Sequence, residues 1–148
     1  RAGAEIITIP CNTVHCFIKE LQKISKVPIL NIIEETTKQV KEKKVGLLAS
    51  DTTLNMKLYQ NGLNKQNICF KTLDNHQSTT ELILEVMQGK ITKKTKNKVL
   101  QIIKKMQVPA LVLGCTELPL AISQSDLQIK IYNSLEILAE KTLDFAHN

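Results

Sequence analysis

Aromatic side chains are scarce in this chain of 148 residues, at 3% of the total, and glycine numbers only five. With so few rings on which bases could stack, and no recognition motif beside the lysines, the basic balance does not point to nucleic acid. The glycines form neither a dinucleotide fingerprint nor a P-loop, which argues against a nucleotide site. The longest apolar runs are strand-sized rather than membrane-sized, so no bilayer-spanning segment is expected. Tandem repeats of fixed period and low-complexity tracts are also missing, which sets solenoid architectures aside. The four cysteines, Cys11, Cys16, Cys69 and Cys115, accompany no secretory segment in this sequence. A disulfide framework is therefore not expected, and a reducing cytoplasm is the default location.

What is present fits an α/β chain long enough for a real core. Net charge is +6 with a pI near 9.2, and the excess lysine lies along expected helix faces in 38–44 and 90–105, as a solvated surface would. Near-continuous apolar runs at 5–9 and 44–50 read as strands of parallel sheets covered on both faces. Shorter strands are expected at 29–33, 67–71 and 127–132. Helical spacing marks 14–25, with Val14, Phe17, Ile18, Leu21 and Ile24 as its apolar face and Thr13 as its N-cap. Helices are also expected over 34–43, whose acids come first and lysines last, over 54–61 up to a stop at Gly62, and over 79–87 and 94–106. A polar connection through Asp74, Asn75 and His76 precedes these last two. Ser134 would cap a final helix over 135–145.

Two segments share one design. Ile6-Ile7-Thr8-Ile9-Pro10-Cys11-Asn12-Thr13 is a β-branched run that breaks at proline and delivers a cysteine into a polar turn. Ala110-Leu111-Val112-Leu113-Gly114-Cys115-Thr116-Glu117 repeats the arrangement far downstream. A lone strand-end cysteine is usually a small buried apolar side chain, which suffices for Cys16 and Cys69. Two of them, each followed by a threonine at a strand-to-helix turn where helix N-termini ease thiol ionisation, form a constellation.

The motifs Pro10-Cys11-Asn12-Thr13-Val14-His15 and Gly114-Cys115-Thr116-Glu117-Leu118 resemble those of the cofactor-independent aspartate/glutamate racemases. The glutamate after Thr116 looks like the aspartate racemase branch, since the glutamate racemase branch usually has histidine there. The stretch Gly46-Leu47-Leu48-Ala49-Ser50-Asp51-Thr52-Thr53 resembles that family's Gly-Leu-Leu-Ala-Thr-x-Gly-Thr, with Ser50 and Thr53 at the threonines and Thr52 where glycine is usual. At the junction where the family reads Asp-Thr-Thr-x-x-His, this chain reads Asn133-Ser134-Leu135-Glu136-Ile137-Leu138. The resemblance implies two similar α/β lobes with parallel sheets flanked by helices. On that basis 1–43 is the remainder of a first lobe, 44–132 a second lobe, and 133–148 a helix returning to the first. The chain is then expected to be the later two thirds of an enzyme.

The implied activity is interconversion of L- and D-aspartate, or glutamate, without pyridoxal phosphate or any other cofactor, and without a metal. Racemisation needs a base and an acid on opposite sides of one carbon, and donors for the carboxylate where charge develops. The resemblance assigns proton transfer to Cys11 and Cys115, and the substrate carboxylate to Asn12, Thr13 and Thr116, joined by Ser50 and Thr53. Capping of strand-to-helix turns would equally explain Thr13 and Thr116. Glu117 either orients the second thiol or favours a helix start, and His15 either tunes Cys11 and the pocket or packs locally. A metal site on Cys11, His15 and Cys16 matches no common zinc spacing, and hydrolysis by Cys11 with His15 leaves the second motif unexplained. Maleate isomerases and hydantoin racemases share the two cysteines, and a truncated, non-catalytic interaction module is the remaining alternative. The partner is a small amino acid, with no nucleic acid or membrane, and a homodimer is suggested by family analogy alone.

Overall fold

The computed structural model describes residues 3–74 and 77–147. Among these, β1 (Ile7–Thr8) and β2 (Ile29–Leu30) pair in parallel as one small sheet. A second, wholly parallel sheet runs in the spatial order β4 (Cys69–Lys71), β3 (Lys44–Ala49), β5 (Ala110–Gly114), β6 (Lys130–Asn133). The helices are α1 (Ile18–Ile24), α2 (Ile32–Gln39), α3 (Asp51–Asn55), α4 (Leu58–Lys65), α5 (Gln77–Met87), α6 (Lys93–Met106), α7 (Leu118–Ala121) and α8 (Ser134–Ala146). The protein is thus α/β, with parallel sheets flanked by helices.

β3 and β5 are apolar at nearly every position because both faces of the larger sheet are covered. Side chains alternate across it: Val45, Leu47, Ala49, Ala110 and Val112 pack with Ile32, Tyr59, Leu63 and Leu138 from α2, α4 and α8. Leu48, Leu111, Leu113 and Cys115 pack on the opposite face with Leu82, Val99, Ile103 and Leu118 from α5, α6 and α7. α2 therefore covers the larger sheet beside α8, although it follows directly on the small sheet in sequence.

Several elements are shorter than the apolar pattern predicts. The strand at 5–9 narrows to Ile7–Thr8, that at 29–33 to Ile29–Leu30, that at 67–71 to Cys69–Lys71, and the last strand shifts to Lys130–Asn133. α2 starts early because Asn31 Oδ1 accepts from the backbone N–H groups of Ile33 and Glu34, at 3.0 and 3.3 Å. Thr92 likewise caps α6 by accepting from Thr95 N at 3.2 Å. Asn75 and His76, in the expected polar connection, lie outside the described residues.

Gly62 does not stop a helix. The break falls earlier, at Met56 and Lys57, where Lys57 takes the left-handed conformation with φ 54°, and α4 then runs through Gly62. A Cβ there would lie 3.0 Å from both Cγ2 and Oγ1 of Thr37. The glycine serves the close approach of α4 to α2. The apolar stripe on residues 14–24 is covered only in part: Ile18 and Leu21 are half-buried, but α1 buries no residue fully, and Phe17 and Ile24 stand 59% and 81% exposed. No helix among the described residues is long and apolar enough to cross a membrane.

Candidate active site

Parallel strands present their C-terminal ends on one edge of a sheet, and there the loops of open α/β folds bind ligands. In this sheet Ala49 pairs with Gly114 and Leu113 with Asn133. Ser50, Cys115 and Ser134 are therefore the residues just beyond three neighbouring strand ends.

The Cys11 turn belongs to the small sheet, and three sets of contacts carry it to this edge. Thr13 is not the N-cap of a helix over 14–25. Residues Thr13–Phe17 form a 3-10 turn with no side-chain cap, and α1 follows only from Ile18. Its hydroxyl instead reaches Thr53 Oγ1 at 3.0 Å and Ser50 Oγ at 3.4 Å. Ser50 Oγ lies 3.1 Å from Thr53 Oγ1 and accepts from Thr53 N at 3.4 Å. These three hydroxyls close into one cluster, and Ser50 at the same time caps α3.

His15 makes the second set. Its Nδ1 lies 2.8 Å from the Cys11 carbonyl and its Nε2 3.3 Å from the Ile32 backbone N. The carbonyl can only accept and the amide only donate, so the ring hydrogen is assigned to Nδ1. His15 thereby ties the Cys11 turn to the start of α2, and both of its nitrogens are engaged by backbone. Cys11 itself is half-buried, with its N–H closing a tight turn onto the Ile9 carbonyl at 2.8 Å. Among the described residues, no three His, Cys, Asp or Glu side chains are grouped as metal ligands.

The third set is buried. Asn12 Oδ1 accepts from the Tyr59 hydroxyl at 2.5 Å, and Asn12 Nδ2 donates to Ser134 Oγ at 3.2 Å. The hydroxyl of Ser134 is available because Asn133, not Ser134, caps α8: Asn133 Oδ1 accepts from Leu135 N and Glu136 N at 3.1 and 3.4 Å. Asn12 is 3% exposed, so it forms the back wall of the turn while Thr13 faces the hydroxyl cluster. Neither Tyr59 nor the inward role of Ser134 was visible in the sequence. Tyr59 lies in a helix-forming stretch where an aromatic reads as ordinary core, and Ser134 reads as a cap.

Cys115 is buried, and its Sγ accepts from Leu118 N at 3.4 Å. Burial pushes this thiol up to about 12, outweighing the backbone N–H groups of Leu118 and Glu117 that favour the thiolate. The Glu117 carboxylate faces the thiol and adds to the rise through its charge and a hydrogen bond. Glu117 Oε1 also accepts from Thr116 Oγ1 at 3.0 Å. Thr116 and Glu117 are both half-buried at this edge. Cys16 is half-buried on the 3-10 turn, while Cys69 is exposed and pairs with Lys44 at the other end of the sheet.

The chain resembles the broad specificity amino-acid racemase RacX of Bacillus subtilis, with 28% identity across 97% of this chain and 65% of that protein. Its structure is similar to Picrophilus torridus aspartate racemase, with a TM-score of 0.89 at 30% identity over 98% of this chain and 63% of that one. An aspartate racemase homologue from Pyrococcus horikoshii gives a TM-score of 0.86 at 29% identity, over 100% and 69% of the two chains. The chain thus spans less than two thirds of the length of RacX and of the Picrophilus enzyme. With the profile of the family described as Asp/Glu/Hydantoin racemase matching residues 1–142, the chain belongs to that racemase family.

Proposed function

We propose that this chain carries the proton-transfer machinery of a cofactor-independent amino-acid racemase acting on aspartate or glutamate. One observation carries the reading: the Thr13 hydroxyl, two residues beyond Cys11, is bonded to Ser50 and Thr53 on the sheet edge from which Cys115 also emerges. The cleft lies between the unit of residues 1–43 and that of 44–132, with α8 returning across the junction. Substrate enters with its α-carboxylate against the hydroxyls of Thr13, Ser50, Thr53 and Thr116 and the remaining Nδ2 hydrogen of Asn12. Those donors meet the charge that grows on the carboxylate as the α-proton leaves.

In one direction a thiolate at Cys11 takes the α-proton, the electron pair of the C–H bond passes into the carboxylate as an enediolate, and the Cys115 thiol returns its proton to the opposite face. Cys11 ends as thiol and Cys115 as thiolate, ready for the reverse reaction. The buried, protonated state of Cys115 suits it to donate first. Glu117 holds that thiol in place.

Proton NMR of L- and D-aspartate and L- and D-glutamate in D₂O with this protein tests the reading. Deuterium should appear at Cα, and Cys11→Ser and Cys115→Ser should each abolish interconversion. Absence of exchange with all four amino acids would refute it. The breadth named for RacX makes other α-amino acids the next substrates to try.

A further inference from the structure

A two-base racemase works only if two sulfurs are held on opposite sides of one carbon, and a displacement of about 1 Å costs on the order of a hundredfold in rate. Cys115 directly follows the core strand β5, whereas Cys11 follows β1 of the other sheet. Because the two cysteine turns stand on separate sheets, contacts that join them set their mutual placement. Tyr59 is placed to do so. It is fully buried on α4, with its ring edge against Gly114, where a Cβ would come within 2.7 Å of Tyr59 Cε2. Its hydroxyl is spent on Asn12, beside Cys11.

We infer that Tyr59 is a positioning residue for the two cysteines, its ring seated on the residue before Cys115 and its hydroxyl holding the residue after Cys11. The inference rests on the two-cysteine reading above. Asn12 Oδ1 can only accept, so the phenol must donate, and this fixes the amide orientation that lets Nδ2 reach Ser134. The Ser134 and Thr36 hydroxyls also face the phenol, so side chains from α2, α4, α8 and the Cys11 turn meet at one buried point. Burial holds the phenol in its protonated, donating form. The contact is therefore present throughout the range where a racemase would work.

Tyr59→Phe keeps the ring on Gly114 and deletes only the hydroxyl. Two readouts apply: kcat and KM for racemisation, and the rate at which iodoacetamide alkylates Cys11 relative to exposed Cys69, followed by peptide mass mapping. The control is Tyr132→Phe, which also loses a largely buried phenol, one that bonds Glu42 and Lys41 away from the cysteines. We expect Tyr59→Phe to lower kcat about tenfold with KM nearly unchanged, and to raise the Cys11 to Cys69 alkylation ratio at least about threefold. Tyr132→Phe should leave that ratio alone. Ser134→Ala should shift the ratio in the same direction, and it decides the matter if Tyr59→Phe does not fold. An unchanged ratio, or equal shifts in the Tyr59 and Tyr132 variants, overturns the inference. If the unmodified protein racemises nothing, the two-cysteine reading fails by itself, and the alkylation ratio still decides whether Tyr59 holds the Cys11 turn.

Discussion

Replacing Gly114 with alanine would set a Cβ 2.7 Å from Cε2 and 3.0 Å from Cδ2 of Tyr59, and 3.1 Å from the Cβ of Ala49. Carbon atoms pack at about 3.5–4.0 Å, so the ring must retreat by about 1 Å. It has nowhere easy to go, because Tyr59 is fully buried in the cluster with Ile32, Leu63 and Leu138, and its hydroxyl is held on Asn12. Overpacking of a tight core costs about 1–3 kcal/mol. Pulling the phenol off Asn12 would leave a buried acceptor unpaired and add about 1–3 kcal/mol. Against this stands only the gain from removing a glycine from a strand, about 0.5–1 kcal/mol. A net loss of about 3 kcal/mol is expected for Gly114→Ala, read by urea unfolding followed by circular dichroism. Gly46→Ala is the matched control, since the nearest atoms to its Cβ, at 3.0–3.1 Å, are methyl groups of Val108, Leu111 and Met106, two of them at the ends of flexible side chains. Its cost should be about 1 kcal/mol. If Gly114→Ala costs no more than Gly46→Ala, the ring is not wedged between the two cysteine turns and the argument built on it is refuted.

Gly62→Ala should destabilise by about 1 kcal/mol, because contact with Thr37 outweighs the helix gain, and the effect should become stabilising in a Thr37→Ala background; the same sign in both backgrounds would remove Thr37 from the explanation. The unfolded Cys115 thiol titrates near 9.0 and the folded one near 12, so the unfolded chain loses its proton first. Wild-type stability should then fall relative to Cys115→Ala by about 1.4 kcal/mol per pH unit as pH rises from 9 towards 12, and the difference should be flat below 9; parallel curves across denaturation series at pH 8, 9.5 and 10.5 would count against it. Glu117→Gln removes the charge that opposes ionisation of Cys115, so alkylation of that thiol at pH 9 should quicken, and a slower rate would mean that Glu117 activates the thiol instead. Thr13→Val should cost about 1 kcal/mol through its lost hydroxyl contacts and raise KM for the proposed substrate more than it lowers kcat, whereas an unchanged KM would place the carboxylate elsewhere.

The sequence by itself determined the α/β class, because runs such as Val45 to Ala49 and Ala110 to Gly114 are apolar at successive positions and of strand length, as strands covered on both faces are. It also singled out Cys11 and Cys115, since a thiol at a strand end before a polar turn is a local pattern. Helix positions followed where caps or spacing were local, as over α5 and α6. Tertiary structure decided the rest. Gly62 reads as a stop in sequence and is a contact in space, because Thr37 of α2 arrives there. Thr13 reads as a cap, and its hydroxyl goes instead to Ser50 and Thr53. Ser134 is released from capping by its neighbour Asn133 and turned towards Asn12, a partner 122 positions away, while Tyr59 reaches the same asparagine across 47. Periodicity reports which face of an element is apolar, but not which distant side chain will stand opposite it. That pairing depends on strand register and helix approach, which exist only once the sheet has formed.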